Sequence, residues 1–176
     1  MEEKRSKTNK EQWRRLRKSR SNLLVAGKAV LAFGVWTMMK LLLELFLGKN
    51  NLGMIIDETM GGTIEIQAAV VIGVFVIIGL IAVFIHFIIY RGAVREGRGK
   101  KGGFFYLLIA FIFIVFTIVS ITYTVTHSDV YTGQRLRFYS SILFDLALLI
   151  SCTDVFYNGI MCKHLKKILK NSEGSE

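Results

Sequence analysis

The sequence contains no proline among its 176 residues and only two cysteines. At an average usage of about 5%, roughly nine prolines would be expected in a chain of this length. Their absence leaves long helices without proline kinks, which argues against a transporter whose binding site is built from proline-broken helices. Cys152 and Cys162 are ten positions apart, about 15 Å along a helix, too far for a disulfide within that helix.

Sequence motifs for metal, nucleotide and covalent chemistry are also lacking. No CxxC pair or His/Cys cluster has metal-ligand spacing, so the sequence predicts no metal site, and nothing in it predicts a cofactor. The glycine-rich stretch 91–103, RGAVREGRGKKGG, has neither the Walker spacing nor a preceding strand. We interpret that stretch as a flexible cationic hairpin. Because no catalytic constellation is found, the expectation is that the protein is not an enzyme.

Four long apolar stretches dominate the remaining sequence. Each is long enough as a helix to cross a hydrocarbon core, which takes about 20 residues. The sequence predicts an all-α integral membrane protein whose four transmembrane helices form an antiparallel up-down bundle. The predicted organisation is a basic amino-terminal arm (1–22), a transmembrane domain (23–161, spans about 23–47, 68–90, 104–126 and 138–161) and a basic tail (162–176).

The connectors orient these spans. Nine Lys or Arg precede the first span, five lie in the second connector and four in the tail, whereas the first and third connectors hold three together. One side of the membrane would thus carry eighteen Lys or Arg and the other side three. Since Lys and Arg resist translocation, this asymmetry places both termini in the cytoplasm. The short loops, the abundant lysine and the absence of an N-x-[ST] sequon fit a bacterial plasma (inner) membrane.

The basic segments are predicted to bind anionic lipid headgroups, at about 1 kcal/mol for each basic residue near the surface. Trp13 and Leu16, one helical turn apart, form a weak apolar anchor for the arm. A nucleic-acid partner is not expected, because the arm is too short to form a groove-reading module. The candidate headgroup-binding residues are Arg14, Arg15, Arg17, Lys18, Arg20, Lys100 and Lys101.

Ionisable residues inside the predicted spans are the best candidates for a functional role, since each costs several kcal/mol unless paired, hydrated or able to snorkel. Lys28 reaches the cytoplasmic headgroups by snorkelling more readily than it finds a buried partner. Lys40 pairs either with Glu44, four residues on, or with Asp145 at matched depth on the antiparallel fourth span. The candidates are Lys28, Lys40, Glu44, His86, Asp145 and Asp154.

The two aspartates of the fourth span leave opposite faces of one helix, because nine residues at 100° each amount to about half a turn. A four-helix monomer cannot easily cover both faces. The sequence therefore predicts self-association through the fourth span, or a hydrated crevice. Ala69 and Gly73, a small-xxx-small pair, and Gly27 with Gly34, a heptad apart, offer close-packing faces for such contacts. The hydroxyls of Thr117, Ser120 and Thr124 satisfy their own helix backbone or line a solute path.

Three classes of function remain open from the sequence. The expected one is a small multi-pass membrane protein acting as a non-enzymatic accessory or assembly component, with a membrane protein as a further partner. The alternative is a small oligomeric transporter or channel that uses the intramembrane Lys, Asp and Glu charges. A membrane-embedded enzyme acting on lipid is the least favoured class, since one intramembrane His and two opposed aspartates do not converge.

Overall fold

The computed structural model describes residues 2–47, 64–126 and 135–173, and every secondary-structure element within these ranges is a helix. The helices are α1 (Glu2–Leu47), α2 (Ile64–Gly97), α3 (Phe105–Thr126) and α4 (Arg135–Glu173). No cis peptide bond occurs in these ranges.

All four helices are long and apolar enough to cross a membrane. The shortest, α3, has 22 residues, or about 33 Å at 1.5 Å per residue, which matches a hydrocarbon core of about 30 Å. The prediction of four membrane-spanning helices is confirmed at this level of length and composition.

The helices extend well beyond the predicted spans. α1 begins at Glu2 and α4 continues to Glu173, so the arm and most of the tail are helical. α2 runs through the first half of the glycine-rich stretch to Gly97. The absence of proline permits these extensions, because no residue removes a backbone donor.

The connector between α2 and α3 is a short, ordered turn. The N–H of Lys100 bonds to the carbonyl of Arg95 and the N–H of Gly99 to that of Glu96, both at 3.0 Å, which is the hydrogen-bond pattern of a Schellman motif. Gly99 takes the left-handed position with φ of 84°, which L-residues with a side chain rarely adopt. The predicted flexible hairpin is wrong, because helix and cap occupy 91–100.

Two compact units make up the chain: residues 1–30 with 88–176, and residues 31–87. The first, which we call the larger unit, has a core to which all four helices contribute. Buried residues recur at alternating three- and four-residue spacing, as in coiled coils, at 16, 19, 23, 26 and 30 on α1 and at 151, 155, 158, 162, 165 and 169 on α4.

The helical arm belongs to this core. Leu16 is 1% exposed and lies in the same buried cluster as Leu165 and Leu169. Leu16 is therefore not available as a membrane anchor, contrary to the sequence-based expectation, while Trp13 is 40% exposed. Leu16 of the arm stabilises helix packing, and the charged side chains at 10, 11, 14, 15, 17 and 18 are exposed.

Within the larger unit, α3 and α4 pack against each other in opposite directions. Ser120 contacts Asp145, Phe111 stacks against Phe156 with ring centroids 5.7 Å apart, and Leu107 approaches Gly159. Rising numbers on one helix meet falling numbers on the other, so the pair is antiparallel.

The second unit, which we call the smaller unit, comprises residues 31–87, and its described residues belong to α1 and α2. A Cβ on Gly34 would lie 2.6 Å from the Cβ of His86, and one on Gly79 would lie 3.4 Å from Met38. Gly34 thus receives the His86 side chain of the same chain. In the larger unit Gly27 likewise packs against Ala93. Both glycines of the predicted heptad pair thus serve contacts between α1 and α2, whereas a Cβ on Gly73 would meet nothing within 4 Å.

Candidate functional site

A buried acidic residue, Glu96, is the centre of the most developed polar site in the described part of the chain. It is the penultimate residue of α2 and is 2% exposed. Its spacing from Ile89 and Ala93, both fully buried, places it on the core-facing stripe of the helix. A carboxylate at this position must be paired or hydrogen-bonded to remain ionised.

Two groups satisfy the Glu96 carboxylate. The Lys166 ammonium on α4 lies 2.5 Å from one oxygen, and the backbone N–H of Gly102 donates to the other at 2.9 Å. Gly102 can approach so closely because it has no side chain, since a Cβ there would lie 2.6 Å from the same oxygen. The carboxylate therefore joins α2, the connector and α4.

A second lysine of α4 completes the arrangement. The Lys163 ammonium donates to the carbonyls of Gly102 and Gly103 at 3.3 and 3.0 Å. The same ammonium lies 5.5 and 5.7 Å from the ring centroids of Phe104 and Tyr106, within cation–π range. Lys163 thus contacts the connector directly, and Lys166, three residues later, contacts Glu96, which accepts a hydrogen bond from the connector. We call Glu96, Gly102, Lys163 and Lys166 the Glu96 cluster.

The chemistry of the Glu96 cluster is that of a structural joint. Both carboxylate oxygens accept charge-assisted hydrogen bonds, which are the stronger kind. Both ammonium groups donate to the same connector or to its buried acid. The cluster fastens a basic connector to a basic tail, two segments that would otherwise repel each other.

Sequence reasoning missed Glu96. It is the one acidic residue in the basic stretch 91–103, where it reads as part of a solvated loop. The signal that could have found it is the continuation of the Ile89–Ala93 stripe by one further step of three residues. Extending the helix beyond the predicted end at Tyr90 was necessary to see that step.

Among the predicted site residues, His86 is buried in the smaller unit. Its Nδ1 lies 2.7 Å from the carbonyl of Ala82, one turn earlier. A carbonyl only accepts, so Nδ1 carries the proton in this contact. The ring rests where Gly34 leaves space, which makes His86 a packing residue between α1 and α2.

The two aspartates of α4 have different surroundings. Asp145 is half-buried and accepts a hydrogen bond from the Ser120 hydroxyl at 3.2 Å. Asp154 is exposed, although Ser151 and Asn158, three residues before and four residues after it on the same helix, are buried and bond to backbone carbonyls of α4. The two aspartates thus lie in different surroundings on opposite faces of α4, as the helical projection predicts.

The hydroxyls of α3 have different acceptors, and the predicted solute path stays a prediction. Thr117 donates to the carbonyl of Phe113 at 2.8 Å, four residues earlier, whereas Ser120 reaches across to α4. Thr117 and Thr124 are buried. One face of α3 is therefore polar where it meets α4.

The intramembrane lysines of α1 lie in different units. Lys28 is exposed in the larger unit, and Lys40 is half-buried in the smaller unit. The side chain of Glu44 is outside the described residues. Pairing of Lys40 with Glu44 or with Asp145 stays a prediction.

The predicted headgroup-binding residues are distributed over the larger unit. Arg20 is half-buried, and its guanidinium lies within 4 Å of the Cβ position of Gly99. The exposed members are Arg14, Arg15, Arg17, Lys18, Lys100 and Lys101. The Arg15 side chain also pairs with Glu11 at 2.7 Å on the helix surface.

Within the described residues, no group of three or more His, Cys, Asp or Glu could hold a metal ion. Comparison with protein-family models, curated proteins and solved structures gave no match for this chain.

Proposed function

We propose that this chain is a four-span integral membrane protein that acts as a non-enzymatic accessory or assembly component. In this proposal the four helices form an up-down bundle, both termini lie in the cytoplasm, and the membrane is a bacterial plasma membrane. The larger unit then presents its cationic surface to anionic headgroups of the inner leaflet and to a membrane-protein partner.

The Glu96 cluster carries this proposal. One buried carboxylate holds the stretch 91–103, which has five Lys or Arg, against the tail 162–176, which has four. Lys100 and Lys101 are exposed at the surface of the same unit, as are Arg14, Arg15, Arg17 and Lys18 of the α1 arm. Concentrating like charge is unfavourable for folding, so a buried acid that enforces it indicates that the cationic surface is used.

Lipid retention tests the headgroup interaction. The protein would be extracted from membranes containing phosphatidylglycerol and phosphatidylethanolamine, and the bound lipid counted by native mass spectrometry. Replacing Lys100 and Lys101 together by Gln should lower the retained anionic lipid while leaving zwitterionic lipid unchanged. Equal retention by both proteins would contradict the proposal.

Thiol accessibility tests the orientation. After both native cysteines are changed to Ser, single cysteines at Asn9, Lys100 and Ser172 should be protected from impermeant reagents in intact cells. Cysteines at Asn51 and Thr132, which lie outside the described residues, should react. Lys100 is a better reporter than Gly97, because a Cβ on Gly97 would lie 2.7 Å from Leu24. The opposite labelling pattern would reverse the assignment.

A second candidate function, transport by a small oligomer, is favoured by the polar contact between α3 and α4. Asp145 and Ser120 meet at 3.2 Å on a face that also carries Thr117 and Thr124. Proteoliposomes provide the discriminating assay. Flux that depends on a solute or proton gradient, and that is lost in Asp145→Asn, would support transport over the accessory function.

A further inference from the structure

Asp154 places a carboxylate on an outward-facing part of α4. Its neighbours one turn away on the same side, Ile150 and Tyr157, are 63% and 60% exposed. Nine residues separate Asp154 from Lys163, about 13 Å along the helix axis, so the carboxylate lies well inside the proposed hydrocarbon layer. A carboxylate in that layer requires a partner, because its short side chain cannot reach the headgroups.

The described residues of the same chain do not supply that partner. The Asp154 side chain makes no hydrogen bond or ion pair within the described part of the chain; only its backbone carbonyl is used, as an acceptor from Asn158. Asp145, by comparison, is bonded by Ser120. The partner of Asp154 therefore comes from outside these residues.

Lys28 is the complementary charge. It is exposed in the same unit, and its side chain likewise makes no ion pair or hydrogen bond within the described ranges. The only other lysine or arginine within the predicted spans is Lys40, which is half-buried and lies in the smaller unit.

Contacts inside the larger unit show that the two charges lie at similar depth. Gly27 packs against Ala93. Gly92, which precedes Ala93 on α2, packs against Tyr106, and Tyr106 packs against Gly159. These positions therefore lie at about the same depth, which we call one level. Lys28 is one residue beyond that level along α1. Asp154 is five residues beyond it in the same direction, along antiparallel α4. The difference is about four residues, or 6 Å, which a four-carbon lysine stem can span.

We propose that copies of this protein associate in parallel in the membrane through ion pairs between Asp154 of one copy and Lys28 of the next. Parallel insertion brings the two residues of different copies to similar depth. Each pair covers one anion and one cation that would otherwise contact lipid. The proposal rests on the four-span insertion of the proposed function, but not on which side the termini lie, since inversion moves both residues together.

Reciprocal charge reversal tests this pairing. Lys28→Asp opposes Asp to Asp between copies, and Asp154→Lys opposes Lys to Lys, so each variant alone should lose self-association. Expressed together with different affinity tags, the two variants should associate, because both kinds of contact then join Asp to Lys. Capture of one tag with the other from mild detergent, and energy transfer between labelled copies in bilayers, measure the association.

We expect each reversal to weaken self-association about tenfold or more, and the mixed pair to recover to within a few-fold of wild type. Lys10→Asp, an exposed reversal on the same helix outside the predicted span and outside the predicted headgroup-binding residues, is the matched control and should behave as wild type. Wild-type monomers, unaffected single variants or a mixed pair that stays apart would each overturn the proposal. Association that requires a different polypeptide, rather than a second copy, would also overturn it.

Neutral substitutions keep the test decisive where a reversal fails to insert. Lys28→Met and Asp154→Asn should each weaken association, and the combined variant should lose no more than either alone. Additive losses would contradict a direct pair, and would favour snorkelling of Lys28 to headgroups. Thiol labelling of every variant reports insertion separately, so a failure of the four-span topology is distinguishable from a failure of the pair.

Discussion

Glu96 and Lys166 lie 70 positions apart in the sequence and 2.5 Å apart in the structure, but their burial is unequal. The Glu96 side chain is 3% exposed, whereas that of Lys166 is 28% exposed. The acid depends on the base for its charge, and the base retains contact with solvent. This asymmetry determines what each substitution does.

Lys166→Met should destabilise the protein more than Glu96→Gln. Removing the ammonium leaves a buried carboxylate with only the Gly102 N–H, at a cost of about 2–4 kcal/mol after allowance for the partly hydrated lysine. Gln at position 96 still accepts from Gly102, and Lys166 can rehydrate, so that change should cost about 1 kcal/mol. Thermal unfolding in detergent measures both losses, and the double variant should lose less than their sum. The reverse ranking would contradict the ion-pair assignment.

Gly102→Ala should disrupt the connector, because the added Cβ would lie 2.6 Å from a Glu96 oxygen and 3.1 Å from the Gly92 carbonyl. Overpacking of this kind costs about 1–3 kcal/mol. Gly103→Ala is the matched control, since its Cβ would meet only the Phe105 nitrogen, at 3.9 Å. The melting temperatures of the two variants should separate clearly. Equal shifts would mean that the approach of Gly102 to Glu96 is not required.

Gly34→Ala should destabilise the smaller unit, since the new methyl group would lie 2.6 Å from the Cβ and 2.7 Å from the Cγ of His86. The expected cost is about 1–3 kcal/mol, partly offset by the helix propensity of alanine. Gly73→Ala, which meets nothing within 4 Å, should be neutral or stabilising by up to about 1 kcal/mol. Unfolding midpoints compare the two substitutions directly, and His86→Ala should relieve the Gly34→Ala defect. A loss from Gly73→Ala equal to that from Gly34→Ala would be inconsistent with this packing.

Asp145→Leu should remove the hydrogen bond between Ser120 of α3 and Asp145 of α4. A hydrogen bond within a membrane contributes about 0.6 kcal/mol on average, and we expect coupling of this size between Asp145→Leu and Ser120→Ala. The predicted partner Lys40 is tested in the same way, with Lys40→Leu relieving the Asp145→Leu defect if the two charges pair. Stability measured for both sets of four proteins separates the partners. Strict additivity in a set would exclude that pairing.

Sequence patterns predicted features that lie within one helix better than contacts between two helices. Helix geometry alone places Asp145 and Asp154 on opposite faces of α4. In the structure Asp145 is half-buried and Asp154 is exposed, as expected for two different faces. The Ser120 partner of Asp145 did not follow, because a hydroxyl at helical spacing can bond either to its own backbone or to a neighbouring helix. Only the register of α3 on α4 decided between these two.

The four long apolar helices could be predicted from the sequence alone, because length and hydrophobicity are local properties that need no partner. Only the packing of helices against one another shows that Glu96 is an interior residue, that Leu16 belongs to the core, and that Gly27 and Gly34 serve contacts within the chain. The physical reason is the same in each case. Whether a helix face is buried depends on the neighbour that covers it, and that neighbour lies at least 50 positions away in the sequence for Gly34 with His86 and for Glu96 with Lys166.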